Sequence, residues 1–196
     1  LASRLFSATQ LICTVDEEQR QRFEQLCQPD VASMSDIEPE KKPDIRIVGS
    51  LKLNTVSTRV DETFADQLRA AAGSKPILLA ASTHSPEEQI LLPASQEVVR
   101  AGYPHLLIIA PRHSNRSKDI ARLMPQAAHR SKNQLPLLGD NHFIADSFGE
   151  MSSLVTAADI VILGGSFVPK GGHNPLEISA LSTPLITGTS QFKNKV

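Results

Sequence analysis

From about residue 76 to the end of the chain, short apolar runs rich in β-branched residues alternate with amphipathic stretches. Consecutive apolar residues imply strands covered on both faces, and helix-length spacers between such strands imply parallel pairing through βαβ crossovers. The candidate strands are PILLAAS (76–82), HLLIIAP (105–111), HFIAD (142–146), ADIVILGG (158–165) and PLITG (184–188). Helices are expected at about 86–101, 114–124, 149–157 and 175–182. The first of them opens on Ser85, Pro86, Glu87 and Glu88, which reads as a capping box with Pro at the first helical position.

Upstream the pattern is looser. A strand, QLICTV (10–15), precedes Asp16, a plausible cap for the helix EEQRQRFEQL. A polar stretch with three prolines, 28–44, reads as a loop or insertion, followed by a short strand IRIVGSLK (45–52) and a helical segment at about 59–72. A domain boundary is expected near 53–58, dividing the chain into residues 1–55 and 56–196. There is room for one domain, or for one with part of another, in 196 residues of which 40% are hydrophobic.

Charge narrows the partners. Twenty Lys and Arg offset 21 Asp and Glu with no run of like sign, so no nucleic-acid partner is expected. Cys13 and Cys27 form neither a CxxC pair nor a metal-ligand spacing, which favours a reducing compartment and structural thiols. No apolar run approaches the ~20 residues that span a bilayer. The first residue is Leu1 and no leader-like apolar stretch follows it, so the start reads as truncated.

The segment GGSFVPKGGHNPLE (164–177) follows an apolar strand and precedes a helix. Its four glycines permit close backbone approach to a ligand. Asn174 stands where an N-cap belongs and Pro175 where a first helical residue belongs, so the free amides of the next turn suit a phosphate. Glu177, one turn in, is placed to accept from sugar hydroxyls or else to complement the helix dipole. Lys170 suits an anionic ligand and equally suits an exposed loop.

Three other strand ends carry candidates, because ligands of open α/β sheets bind at the carboxyl ends of strands. Arg112 can pair with a phosphate or carboxylate and His113 can donate beside it; the alternative is a surface Arg and a capping His. The amides of Gly149, Glu150 and Met151 can meet a nucleotide, while the Glu150 carboxylate can serve the helix terminus alone. Ser82 and Thr83 end the strand at 76–82, as cleft residues or as caps. No GK[ST] follows the glycines and no GxGxxG occurs, which disfavours a Walker loop and a dinucleotide cofactor. Neither DxD nor HExxH is present, so neither a metal nor a cofactor is expected.

The ordered set ASTH..EE (81–88), IIAPRH (108–113), IADSFGEM (144–151), GGSFVPKGGHNPLE (164–177) and PLITG (184–188) resembles the Kdo transferases of lipopolysaccharide synthesis. The glycine-rich segment is the most specific of these, and the resemblance runs from about residue 5 to the end, weakest over 28–44. It implies an α/β, Rossmann-like parallel sheet, namely the donor-binding domain of a GT-B glycosyltransferase. Residues 1–55 would then be the remnant of the N-terminal acceptor domain and 56–196 an incomplete donor domain. The implied reaction is inverting, metal-independent transfer of Kdo from CMP-Kdo to a lipid A precursor, lipid IVA. Donor contacts carry over to Arg112, His113, Gly149, Glu150, Met151, Ser166, His173, Asn174 and Glu177. The family places its general-base glutamate and a membrane-anchoring segment in the N-terminal region, so the parent enzyme is expected at the cytoplasmic face of the inner membrane and this chain alone is expected to be nearly inactive. Ser147 and Phe148 stand where the family usually has Thr and Met, and Thr189 and Ser190 replace a Gly-Pro-His type of turn. The rival readings are another GT-B enzyme with a uridine donor, either a transferase or an epimerase, and a truncated nucleotide-binding fragment without activity.

Overall fold

The structure, a computed structural model, describes residues 10–27, 43–48 and 59–191. The chain divides into two compact units, residues 1–55 and 56–195. In the first, β1 (Leu11–Thr14) pairs in parallel with β2 (Asp44–Ile47), Leu11 opposite Asp44. Helix α1 (Glu17–Leu26) follows β1, and Asp16 caps it by accepting from the Gln19 amide at 2.8 Å. The second strand runs from Asp44 to Ile47, and residues 49–52 of the expected 45–52 lie outside the described part. Most of the expected loop at 28–44 and the whole expected boundary at 53–58 lie outside it as well.

The second unit is built on a parallel sheet of six strands in the order β5-β6-β4-β3-β7-β8. These are β3 (Ile77–Thr83), β4 (Leu106–Pro111), β5 (Ala128–His129), β6 (His142–Ile144), β7 (Ile160–Leu163) and β8 (Leu185–Thr187). Between them run α2 (Glu62–Ala72), α3 (Glu87–Arg100), α4 (Ser117–Leu123), α5 (Met151–Ala157) and α6 (Leu176–Ala180). Apart from the two-residue edge strand β5, the winding runs outward from β3 to β4 and β6, then returns to the other side of β3 for β7 and β8. This is a doubly wound sheet, and its direction reverses between β3 and β7. The expected strand at 142–146 ends at Ile144 because Asp146 turns away to bind side chains across the loop. The edge strand β5 is too short to leave a periodic signal.

The strands are apolar on consecutive residues because each face has its own helices. Ile77, Leu79 and Ala81 pack with Phe64, Ala65 and Leu68 of α2, Leu154 and Val155 of α5, and Ile178 of α6. On the opposite face Ala80, Leu107 and Ile109 pack with Leu91 and Leu92 of α3 and with Ile120 and Met124 near α4. The alternation along β3 and β4 follows the two-residue period of a strand. Leu79, Ile108 and Ile109 are fully buried, and burial of side chains of this size stabilises by about 1.5–3 kcal/mol each. Helix α2 starts where Asp61 accepts from the Phe64 amide at 3.0 Å and ends at Gly73.

Candidate functional site

The carboxyl ends of β3 and β7 meet at the reversal point, where the two backbones nearly touch. A Cβ on Gly164 would lie 2.5 Å from the Ser82 carbonyl oxygen and 2.7 Å from Thr83 Cα, so only glycine fits. The approach the glycine run permits is thus first of all an approach of protein to protein. Across the loop, a Cβ on Gly188 would lie 2.3 Å from the Ser166 carbonyl oxygen.

One carboxylate wires this junction. Glu87, fully buried at the start of α3, accepts from the amides of His84 and Gly165 at 2.8 Å each on one oxygen. Its other oxygen accepts from the Phe167 amide at 3.0 Å. The capping box expected at Ser85 is not formed: the residue preceding α3 is Pro86, and no side chain caps it. Glu88 is drawn away to Thr83 Oγ1, at 2.6 Å, and to Arg116, whose guanidinium grips both its oxygens at 2.7 Å. Burial alone would raise the Glu88 carboxyl, but Arg116 and Thr83 hold it below its ordinary value. The negative charges at this helix start are used by tertiary partners.

Three imidazoles gather beside this knot. His84 Nε2 lies 2.9 Å from His173 Nε2, and the His113 ring meets His84 edge-on, with centroids 5.8 Å apart and planes at 74°. The His84 pKa is lowered, first by burial and further by His113, Lys170 and Arg116, against the opposing pull of Glu87. Arg112 is exposed at the end of β4, with its amide donated to the Thr83 carbonyl at 3.0 Å and no side-chain partner among the described residues. Lys170 is exposed in the glycine-rich loop.

The remaining expected residues divide by what their side chains already hold. Ser166 is fully buried; its hydroxyl donates to the Leu163 carbonyl at 2.5 Å and accepts from the Gly188 amide at 2.8 Å, which clamps the loop to the end of β8. Asn174 Oδ1 accepts from the Leu176 amide at 3.2 Å, but the helix starts one residue later than expected, with Pro175 rather than Asn174 in the capping position, so this bond closes the turn before α6. Glu177 falls within α6, and its side chain lies outside the described part. Ser82, at φ +54°, forms the bulge that ends the regular pairing of β3 with β4. Thr83 is buried, with its hydroxyl committed to Glu88. Gly149, Glu150 and Met151 lie where the chain passes from β6 into α5. There the Glu150 carboxylate is held by the Arg130 guanidinium at 2.6 and 2.9 Å and by the Ser147 hydroxyl. Burial would raise that carboxyl, and Arg130 and Ser147 bring it below its ordinary value.

Asp146, at the same strand end, is buried and accepts from Ser131 N and Ser131 Oγ at 2.8 Å each, from Ser117 Oγ, and from His129 Nδ1 at 3.2 Å. Burial opposes its charge, yet these donors bring its pKa down to about 2. A serine, a histidine and an aspartate are present here, but Ser117 Oγ lies 3.3 Å from the same His129 Nδ1 that meets Asp146 and itself donates to that carboxylate, so the three close a knot on Asp146 that holds the turn. A depression of about 360 Å³ lies at the amino ends of β3 and β7, between Gly73, Lys75, Ile77 and Asp159, away from all these residues. Among the described residues no group of His, Cys, Asp or Glu is arranged to hold a metal ion, and no helix is long and apolar enough to cross a membrane.

The fold has a solved counterpart. The C-terminal CMP-Kdo binding domain of WaaA from Acinetobacter baumannii superposes with a TM-score of 0.60 at 30% identity, over 67% of this chain and 73% of that one. The chain belongs to the Kdo transferase family. Curated Kdo transferases agree: that of Haemophilus influenzae is 38% identical over 159 residues, 77% of this chain and 36% of its own length. That of Rickettsia conorii is 33% identical over 75% of this chain and 32% of its own length. A probable mitochondrial Kdo transferase of Arabidopsis thaliana is 31% identical over 68% and 31%, respectively. The chain therefore spans about a third of the length of the curated relatives it matches. No family model matches it.

The α/β class and Rossmann-like parallel sheet implied by the Kdo transferase resemblance are those the structure has. The residues to which sequence reasoning gave no role in the site are His84, Glu87, Glu88 and Arg116. The signal was present in the run STHSPEE, where two glutamates follow a strand end within a few residues. Local capping rules assigned them to their own helix, because the partners that claim them are distant in the chain.

Proposed function

We propose that the second unit is the CMP-Kdo-binding domain of a Kdo transferase, an enzyme that moves Kdo from CMP-Kdo onto a lipid A precursor, lipid IVA, in lipopolysaccharide biosynthesis. One observation carries this reading: the fold shared with the CMP-Kdo binding domain of WaaA is joined, at the reversal of the sheet, by an exposed arginine and three clustered histidines. Donor contacts are assigned to Arg112, His113, His173 and Asn174, to the turn at Gly149, Glu150 and Met151, and to Glu177. Ser166 and Glu150 contribute through their backbones, since their side chains are engaged within the protein. Lys170 adds positive charge at the rim, and Ser82 and Thr83 shape the floor.

The chemistry follows from charge. As the bond to the sugar breaks, CMP gathers negative charge on its phosphate, and donors aimed there bind the transition state more tightly than the ground state. Loss of one such donor typically costs roughly 10²–10³ in rate. Transfer is inverting and needs no metal in this reading. The acceptor hydroxyl and the general-base glutamate belong to the other domain, whose last elements are residues 1–55, and the whole enzyme works at the cytoplasmic face of the inner membrane.

Calorimetric titration of the chain with CMP and with UDP tests the donor assignment. CMP is expected to bind saturably and more tightly than UDP, and Arg112→Ala to weaken CMP about tenfold or more, the worth of a hydrogen bond to a charged group. Tighter binding of UDP, or no binding of CMP to the folded chain, overturns the reading.

A further inference from the structure

Two imidazole nitrogens face each other across the junction. The His84 and His173 rings are inclined by only 9°, with centroids 5.0 Å apart and Nε2 atoms 2.9 Å apart. The centroid separation is close to the nitrogen–nitrogen distance plus two ring radii. The rings therefore meet edge to edge in nearly one plane, the geometry of an N–H···N hydrogen bond.

That geometry limits the protons the pair can hold. Only one proton fits between the two Nε2 atoms. In the neutral pair one ring carries its proton on Nε2 and donates, while the other carries it on Nδ1 and accepts. One further proton, on the donor's Nδ1, leaves the bond intact and gives the pair a single positive charge. A second would set two N–H groups against each other and break it.

The surroundings limit the charge the pair tolerates, and burial opposes charge on His84 first of all. Glu87, from α3, faces the pair and ties both loops together, accepting from the His84 amide on one side and from the Gly165 and Phe167 amides on the other. Around His84 the cationic or titratable neighbours among the described residues are His113 after β4, Arg116 in the following turn and Lys170 in the glycine-rich loop, with Arg116 paired to Glu88. At His84 the Glu87 carboxylate favours a first charge, and burial together with the cations resists a second.

We propose that His84 is a positioning residue of the donor site: it fixes the ring plane and tautomer of His173, and the two rings together present a single-proton cation to the donor's anionic group. This rests on the reading of the junction as the donor site.

Two measurements on the full chain separate the two ideas. In the unliganded protein, isotope-labelled histidine ring nitrogens followed by NMR against pH are expected to show complementary neutral tautomers for His84 and His173 and uptake of one proton between them. In His84→Gln, whose side-chain amide keeps a hydrogen bond but does not titrate, the His173 tautomers are expected to mix. Calorimetric titration with CMP at about pH 6 and about pH 8, in buffers of differing ionisation enthalpy, then counts protons taken up on binding. His84→Gln is expected to lose that uptake and to bind CMP about tenfold more weakly at the lower pH, with a smaller loss at the higher. Independent titration of the two rings, or His173 signals unchanged in His84→Gln, overturns the pairing. Intact pairing with CMP binding unaffected by His84→Gln overturns the positioning role alone. Failure of the wild-type chain to bind CMP overturns the donor-site reading, and the NMR result still decides the pairing.

Discussion

Replacing Glu87 by glutamine is expected to loosen the junction between β3 and the glycine-rich loop without unfolding the chain. The carboxylate is fully buried and accepts three amides, at 2.8, 2.8 and 3.0 Å. Glutamine retains one carbonyl oxygen, which best serves the His84 and Gly165 amides, and so turns its own NH2 toward the Phe167 amide. One buried donor is then opposed by another, at about 1–3 kcal/mol, and the two remaining bonds lose their charge assistance. Phe167 is only half-buried, so water offsets part of the loss. A net cost of about 2–3 kcal/mol follows, within the ~5–15 kcal/mol available to a domain. Glu87→Ala would orphan all three amides and open a cavity, and for that reason is the poorer probe. Urea unfolding monitored by circular dichroism gives the midpoint shift, and hydrogen exchange of the Gly165 and Phe167 amides shows where the loss falls. An unfolding free energy within about 0.5 kcal/mol of wild type, or unchanged exchange at both amides, would refute the role given to this carboxylate.

Gly188→Ala is expected to cost about 3 kcal/mol, because the new Cβ lands 2.3 Å from a backbone oxygen that cannot swing aside; Gly139→Ala, whose Cβ meets nothing within 4 Å, is expected to cost only about 1 kcal/mol of backbone strain. Thermal unfolding of the two variants provides the comparison. Asp146 titrates in the folded chain at about 2 against an ordinary 3.8, so its folded pKa is depressed and its contribution to stability is present above the ordinary value. About 2 kcal/mol is expected to be lost as pH falls from about 4 to about 2, and Asp146→Asn is expected to remove that pH dependence and a similar amount of stability at neutral pH. Equal acid sensitivity of the variant and the wild type in denaturant titrations between those pH values would show that the carboxylate is not held as described.

Much of the second unit was legible in the sequence because the forces involved are local. Ile77, Leu79, Leu107 and Ile109 lie in consecutive apolar runs that declare strands covered on both faces. Asp61 caps its own helix, as Asp16 does in the first unit, and Asn174 binds an amide two residues along. The glycine-rich segment and its neighbours carry the family resemblance without any knowledge of contacts. Strand lengths were less legible, since Asp146 leaves the sheet only because Ser117, Ser131 and His129 are waiting for it. What the tertiary structure alone decided is which strand lies beside which. Placing β7 against β3 brings Glu87 to amides 78 and 80 residues away and His84 to a ring 89 residues away. A buried carboxylate or imidazole takes the partner that the sheet order delivers, and sheet order is set by the burial of both faces together, which no local pattern records.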